Sequence, residues 1–547
     1  MKNFFSSRNV LIMTLVLLAL PVTMIECAVL QRTSGVWMYP LDDTFIHMAL
    51  AKNLAFHGVW GISRFEFASA SSSVLYTIVL AGLFRIFSIH VIIPFLVNCL
   101  TGVVLLAVVQ RWLIKERVTG GPLMWVMLCL LFFTPLPILL VCGMEHTLQC
   151  LFSFLFVFGC AGWLEDQLTV KRGKWTLPWV LPVYGMLVTF TRYEGMFLVG
   201  IVCLILVWHR QIGLAFRLGV LSLMPLIIFG IYSVVKGSYF LPNSVLLKSD
   251  GLNLTISGVM HWLDNIFVQR LTMVRTDNIP AGTPRPGISL LATQRLLILL
   301  PLVWLAFYKF IRERISYGYI LFILTGCAIL QLCFASTGWL YRYEAYLVFC
   351  SVVITGVLVV RFGAALAAER PVVVRWMAGI ALFAILFPFF LRSSAAFTKT
   401  TTACQNIYQQ QYQMGSFVHK YYNGDAVAAN DIGAISFQSS GRVMDLWGLG
   451  NITVARSRKK GYWTAGFLDS LCRRDGVRMA VFYEKWFGDS LTRRWNKVAT
   501  WRIRDNVICG DDSVSFFSLD RQDVPVLKRD LVEYEKSLPA GVSVKYY

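Results

Sequence analysis

Apolar stretches with scarcely a charge recur along the first 390 positions of the chain. Leu123 to Val141 and Leu218 to Val235 contain no charged residue at all. A helix needs roughly 20 apolar residues to cross a ~30 Å hydrocarbon core. On that basis spanning helices are expected near 10–30, 91–110, 121–141, 145–163, 176–191, 194–208, 218–235, 291–308, 316–335, 343–360 and 373–391, eleven in all. The stretch Ser71–Ile89 differs. Three serines open it and Arg85 interrupts it, leaving about 14 uncharged residues. That length suits a helix lying on the membrane rather than crossing it.

The loops test this choice. With Lys2 and Arg8 in the cytoplasm and Ser71–Ile89 on the surface, the loops 111–117, 165–174, 209–217, 309–314 and 361–375 all become cytoplasmic, and all are basic. Counting Ser71–Ile89 as a crossing would move every one of them outside, against the positive-inside rule. The N-terminal apolar run, Val10 to about Leu30, is longer than a signal-peptide core, and Ile25-Glu26-Cys27 is a poor cleavage site. A retained first helix is expected. Segments 31–70, 142–146, 191–195, 236–290 and 336–342 then face outward, as does everything beyond Arg392.

The last ~155 residues read differently. Strand-like runs at Ala426–Asn430, Ile432–Phe437, Val443–Leu446, Met479–Phe482 and Val514–Leu519 alternate with Gly, Asp and Asn. This spacing predicts a small extracytoplasmic α/β domain over 392–547, following a membrane module over 1–391 with juxtamembrane helices in 31–90 and a long outer loop over 236–290.

Composition agrees. Apolar residues make up 57% and charged residues 15% of the chain, against about 25% charge in soluble proteins. The net charge of +20 gathers largely in the short loops, so it speaks for membrane topology and not for nucleic acid. The 13 cysteines show no metal-binding spacing. A Cys472–Cys509 disulfide is compatible with an outside location, and sequence alone does not decide it. Asn253-Leu-Thr255 and Asn451-Ile-Thr453 are sequons, which matter only in a eukaryotic secretory setting.

Charged residues that run against this background are the candidates for chemistry. Asp42-Asp43 opens a mostly apolar stretch with Ile46, Leu50 and Leu54 on one helical face and His47 one turn on. An acidic pair there is either a helix cap or a general base beside the membrane. Cys142-Gly-Met-Glu145-His146 ends the third span, where a carboxylate is costly unless it faces a cavity or partner. Thr191-Arg192-Tyr-Glu194 and Tyr341-Arg342-Tyr-Glu344 place arginines on outer loops; Arg192 and Glu194 could also simply pair with each other. Leu241-Pro-Asn243 to Lys248 adds a further cation. Acids and bases from five loops thus converge on one face, while the middles of the spans are nearly uncharged. Ion-coupled transporters place their charges at mid-membrane.

At these residues the chain resembles the GT-C superfamily of integral-membrane glycosyltransferases, which carry an acidic motif in the first outer loop. Gly143-Met-Glu145, Arg192-Tyr-Glu-Gly195 and Leu241–Lys248 resemble motifs of the mycobacterial terminal β-arabinofuranosyltransferase branch. So do Asn430-Asp-Ile-Gly-Ala-Ile-Ser436 and Arg442–Leu449. His146 and Tyr193 depart from that pattern. The resemblance implies a polyprenyl-phosphate sugar donor, with a pentofuranose such as arabinofuranose as its sugar, and a cell-envelope glycan or glycolipid acceptor. Transfer would occur at the extracytoplasmic face of the inner membrane. Asp42 or Asp43 would take the acceptor proton, and Lys248, Arg192 and Arg342 would neutralise the leaving phosphate. Glu145 and Glu194 would orient those cations or bind sugar hydroxyls, and His47, His146 and Asn243 complete the candidate substrate-binding set. No metal-ligand set is expected, although a vicinal acidic pair is able to hold Mg²⁺ or Mn²⁺. The rival reading is a lipid-carrier flippase or other transporter.

Overall fold

The computed structural model describes residues 6–169, 175–247, 293–305, 307–335, 338–368 and 371–547. Most of the expected loop 236–290, Lys248 included, lies outside the described residues. The chain is a multi-pass helical membrane protein with a C-terminal sheet domain. A helix stands at each of the eleven apolar stretches. Among the described residues six of them are long and apolar enough to cross a membrane: Ser7–Arg32, Ile93–Lys115, His146–Thr169, Ile212–Val235, Ile315–Phe334 and Ala345–Ala368, the last through its first 21 residues. The first shows how the pattern is used: Ile12, Val16, Leu20 and Met24 recur every fourth residue and are exposed, while Val10, Leu18, Val22 and Val29 are buried. The stripe left open is the one that lipid covers.

The stretch 121–141 forms two helices, Gly120–Phe133 and Leu136–Val141, instead of one. Pro135 between them has φ +23° and offers no N–H to continue the first helix. Val372–Ile407 runs on as one helix through position 392, then widens into a π-turn at Tyr408–Tyr412 before Gln413–Tyr421. The membrane module and the sheet domain are therefore joined by continuous helix.

Two short helices lie between the first spans. Asp42–His57 carries both acids in its first turn and ends on Gly58 in the left-handed conformation, φ +66°, where glycine costs nothing. Val74–Phe87 packs beside it and is capped by Ser73, which accepts from Tyr76 N at 3.2 Å. The preceding serines are committed as well. Ser71 bonds His47 Nδ1 (3.3 Å) and Ser72 donates to Glu145 (3.2 Å).

The sheet domain has six strands, β1 (Ala426–Ala429), β2 (Val443–Asp445), β3 (Val477–Phe482), β4 (Asn496–Ile503), β5 (Ser513–Ser518) and β6 (Val542–Tyr546), in the order β2-β1-β3-β5-β4-β6. β1 is parallel to β2 and β3; the remaining pairs are antiparallel. The run Ile432–Phe437, expected as a strand, is instead the helix Gly433–Gln438. It supplies the crossover that two adjacent parallel strands require, and its ends are fixed by residues far away in sequence, as shown next. Cys472 and Cys509 are free: Cys472 is buried among Leu468, Leu471 and Phe482, and Cys509 donates to Gln411 at 3.3 Å.

Candidate active site

The acidic pair divides its work. The N-cap of Asp42–His57 is Leu41, and no side chain caps that helix. Asp42 turns instead to the sheet domain. Its two oxygens accept from Gly433 N (2.6 Å) and Ala434 N (2.8 Å), capping a helix almost 400 residues away. Ten positions on, Lys52 Nζ donates to the Ser436, Phe437 and Ser439 carbonyls at 3.2, 2.6 and 3.2 Å. A carboxylate at the N-terminus and an ammonium at the C-terminus complement both ends of the helix dipole. The approach is close: a Cβ on Gly433 would lie 2.1 Å from the Asp42 carbonyl oxygen. Burial, then Asp431, raise the pKa of Asp42, against the opposing pull of the Ala434 and Gly433 N–H groups. Burial lowers that of Lys52 to about 8.

Asp43 faces the other way. Arg342 Nη2 donates to it at 2.6 Å and to the Tyr343 hydroxyl at 3.1 Å. Arg342 is 1% exposed. Beside it Arg192 joins two carboxylates, Glu145 at 2.6 Å and Glu194 by two bonds of 2.7 and 3.1 Å. The expected local Arg192–Glu194 pair is thus present, and Arg192 reaches Glu145 as well. Glu145 is wholly buried and lies 3.5 Å from His47 Nε2. Burial alone would raise the Glu145 carboxyl, but His47 and Arg192 outweigh it and hold it low. Burial lowers the pKa of His47, against the opposing pull of Glu145 and Asp43. The turn that carries Glu145 needs its glycine: Gly143 has φ +64°, and a Cβ there would meet the Tyr39 ring at 2.3 Å. Tyr343 lies beside both guanidiniums, 5.4 Å from that of Arg192 and 4.9 Å from that of Arg342.

Two cavities meet at Asp43 and Tyr343. The first, about 330 Å³, is lined by the charged Arg192, Arg342 and Glu194 and by the apolar Met144, Met196, Phe197, Val245 and Phe334. The second, about 270 Å³, lies between the membrane module and the sheet domain. Trp339, Trp447 and Trp486 line it, with Asp42, Asn430, Asp431 and Gln411. Gln411 projects from the π-turn and donates to Asp431 at 2.8 Å. Such turns recur at functional sites.

Of the residues singled out in the sequence, Asp43, Glu145, Arg192, Glu194 and Arg342 form one cluster, with His47 attached through Glu145. His146 is buried beside it, its ring 6.1 Å from that of Tyr343. Asn243 is buried and ties its loop to the sheet domain, donating to the Leu449 carbonyl at 3.3 Å. Sequence reasoning missed Tyr343, Gln411, Asp431 and the three tryptophans; only the motifs 430–436 and 442–449 pointed near them. It also missed Arg392, which pairs with Glu344 at 2.8 Å where both are buried. No group of three or more His, Cys, Asp or Glu among the described residues is arranged to hold a metal ion.

Residues 405–517 match a family model described as a domain of unknown function, DUF8728. No curated protein matches the sequence. The chain is similar in structure to the Archaeoglobus fulgidus oligosaccharyltransferase tethered with an acceptor peptide, at 12% identity and a TM-score of 0.52 over 94% of this chain and 74% of that one. It is also similar to apo ArnT from Cupriavidus metallidurans, at 11% identity and a TM-score of 0.51 over 94% of this chain and 99% of that one. At these identities the likeness is one of fold alone.

Proposed function

We propose that the chain is a membrane glycosyltransferase that moves a sugar from a polyprenyl-phosphate donor to a hydroxyl of a cell-envelope glycan or glycolipid. The observation that carries this reading is Asp43, which stands where an arginine-bearing, half-apolar cavity meets a tryptophan-lined one. The first suits a prenyl chain with a phosphate at its end: apolar side chains take the tail, and the Arg192 and Arg342 guanidiniums attract the charge. The second suits a sugar, with aromatic faces for its C–H surface and amide and carboxylate groups for its hydroxyls. The shared fold of the oligosaccharyltransferase and ArnT is consistent with both.

In the proposed step the acceptor oxygen attacks the anomeric carbon, and the bond from that carbon to the phosphate oxygen breaks. The electron pair leaves with the polyprenyl phosphate, and the acceptor proton goes to Asp43. A phosphate in the first cavity competes for the Arg342 guanidinium. As the bond to Asp43 loosens, the carboxylate gains basicity. Glu145 and Glu194 hold Arg192 in place for the same phosphate, and Lys248 belongs to the proposed set as a further cation. Asp42, clamped on the sheet domain, is assigned to docking and not to proton transfer. With the basic loops cytoplasmic, both cavities and the sheet domain face the extracytoplasmic side of the inner membrane. The sequence motifs favour arabinofuranose as the sugar.

The test is transfer in proteoliposomes from polyprenyl-phosphate arabinofuranose, labelled in the sugar, to an arabinan oligosaccharide. Label on the oligosaccharide with release of free polyprenyl phosphate is expected. Asp43→Asn should reduce transfer by about 10²-fold or more, and Asp42→Asn by less. Label that crosses the bilayer with the carrier intact would make the chain a lipid-carrier transporter instead.

A further inference from the structure

The sheet domain carries a basic run where it meets the end of a spanning helix. The run is Arg456-Ser-Arg458-Lys459-Lys460, at the C-terminal end of the helix Ile452–Lys459. Arg458 is committed to the domain itself, 3.8 Å from the Trp447 ring centroid. Arg456, Lys459 and Lys460 are exposed. Arg456 Nη2 donates at 2.7 Å to the carbonyl of Gly237, two residues beyond the span Ile212–Val235. Lys236, also exposed, adds a fourth cation there. Among the described residues none of these four forms an ion pair with a carboxylate.

The depth of this patch follows from the chain beyond the span. Ile227, Ile228, Ile231, Val234 and Val235 are exposed along the helix, on a face that lipid covers. After Gly237 the chain turns back along the same helix. The Ser233 hydroxyl donates to the Tyr239 carbonyl at 2.7 Å, and the Phe240 ring lies against Gly230, where a Cβ would meet it at 2.5 Å. Gly230 stands five residues before the helix end, a rise of about 7.5 Å. Phe240, Tyr232 and Tyr462 are themselves exposed. Lys459 Nζ lies 5.0 Å from the Tyr239 ring centroid, and Lys236 Nζ 5.7 Å from that of Tyr232. Aromatic rings at the end of a lipid-facing helix mark the headgroup region, so the cations beside them stand at the level of lipid phosphates. Cations in the last turn of a helix also suit its dipole. That accounts neither for Lys236 nor for the rings at the same level.

We infer that Lys236, Arg456, Lys459 and Lys460 form a docking surface for the headgroups of anionic phospholipids, in the leaflet that the sheet domain faces. Charge and depth together select this occupant, because a phosphate at headgroup height meets four cations that hold no carboxylate. Lys236 belongs to the membrane module and the other three to the sheet domain, so a bound headgroup bridges the two. The surface is independent of the transfer reaction and shares no residue with the cavities at Asp43.

The test titrates the full-length protein, in neutral detergent, with phosphatidylglycerol or with phosphatidylcholine of the same acyl chains. Bound lipid is counted by native mass spectrometry. One variant combines Lys236→Gln, Lys459→Gln and Lys460→Gln; Arg456 is kept, since it also bonds Gly237. A control combines Lys528→Gln, Lys536→Gln and Lys545→Gln, exposed on the same domain, for an equal loss of charge. The wild type is expected to bind phosphatidylglycerol about tenfold more tightly than phosphatidylcholine. The first variant should lose about tenfold in phosphatidylglycerol affinity, the control less than about twofold, and phosphatidylcholine binding should hold in both. Equal binding of the two lipids by the wild type would overturn the surface, as would an unchanged phosphatidylglycerol affinity in the first variant. An equal loss in the control would reduce the effect to net charge, and a loss of both lipids in the first variant would reduce it to the fold. Displacement of phosphatidylglycerol by an equal concentration of inorganic phosphate would make the patch a free-anion site instead.

Discussion

The two cavities at Asp43 are assembled differently. The arginine-bearing one is lined by residues up to Tyr343 only, and buried ion pairs within the membrane module fix its charges. The tryptophan-lined one takes Leu41, Asp42, Asp43, Trp339 and Tyr343 from the membrane module and the rest of its wall from Ile407 onward. One is complete within a single module; the other exists only while the sheet domain is docked. The proposed donor site is therefore preorganised, and the proposed acceptor site is conditional on an interface.

The sharpest way to break this contrast is Gly433→Ala. The added Cβ has no room against Asp42, so the domain must shift. Transfer should fall by about a hundredfold, the cost of an ångström-scale misplacement, while donor binding to the purified protein stays near wild type. Equal loss of donor binding would show that the cavities are not independent. Arg342→Ala tests the other side. Removal of one charge-assisted hydrogen bond should weaken donor binding by about tenfold and leave the acceptor KM unchanged. Trp447→Ala should raise the acceptor KM by about fivefold with donor affinity intact. The smallest effect is expected from Asp445→Asn. Asp445 accepts from Trp447 N (2.7 Å), Gly448 N (3.0 Å) and Gly450 N (2.6 Å), which shapes the loop that carries Trp447. An amide nitrogen cannot replace one of those acceptors. The domain should lose about 1–2 kcal/mol, read as its thermal unfolding, with a change in acceptor KM smaller than that of Trp447→Ala.

The same contrast explains what the sequence disclosed. Asp43, Glu145, Arg192, Glu194 and Arg342 stood out because a charge at the end of an apolar helix is costly without a partner, and their convergence followed from alternating the loops. Helices were legible at the apolar stretches, although only six of the described ones are long and apolar enough to cross a membrane, and at Pro135 a chargeless run masked the proline. The wall of the second cavity left no such mark. A tryptophan in a soluble domain belongs to a core as readily as to a site, and Trp447, Trp463 and Trp486 do pack on one. The reading of Ile432–Phe437 as a strand failed for a related reason. Six residues hold too little periodicity to separate helix from strand, and the groups that fix its ends as a helix, Asp42 and Lys52, sit in the other module.

The double clamp of Asp42 and Lys52 has a kinetic consequence. Asp42 is one of the contacts that seat the domain, and the proposed base is the very next residue on the same backbone. The position of that base therefore reports whether the domain is seated. On the proposed function, a chain whose domain had lifted away would carry a disarmed carboxylate beside its donor, and that would protect an activated sugar from wasteful hydrolysis. Lys52→Met leaves every donor-contacting residue in place and loosens only the seat. It is expected to slow transfer to acceptor without raising the release of free sugar from donor alone. A variant that released free sugar faster than wild type would show that the seated domain shields the donor from water and does nothing to arm the base.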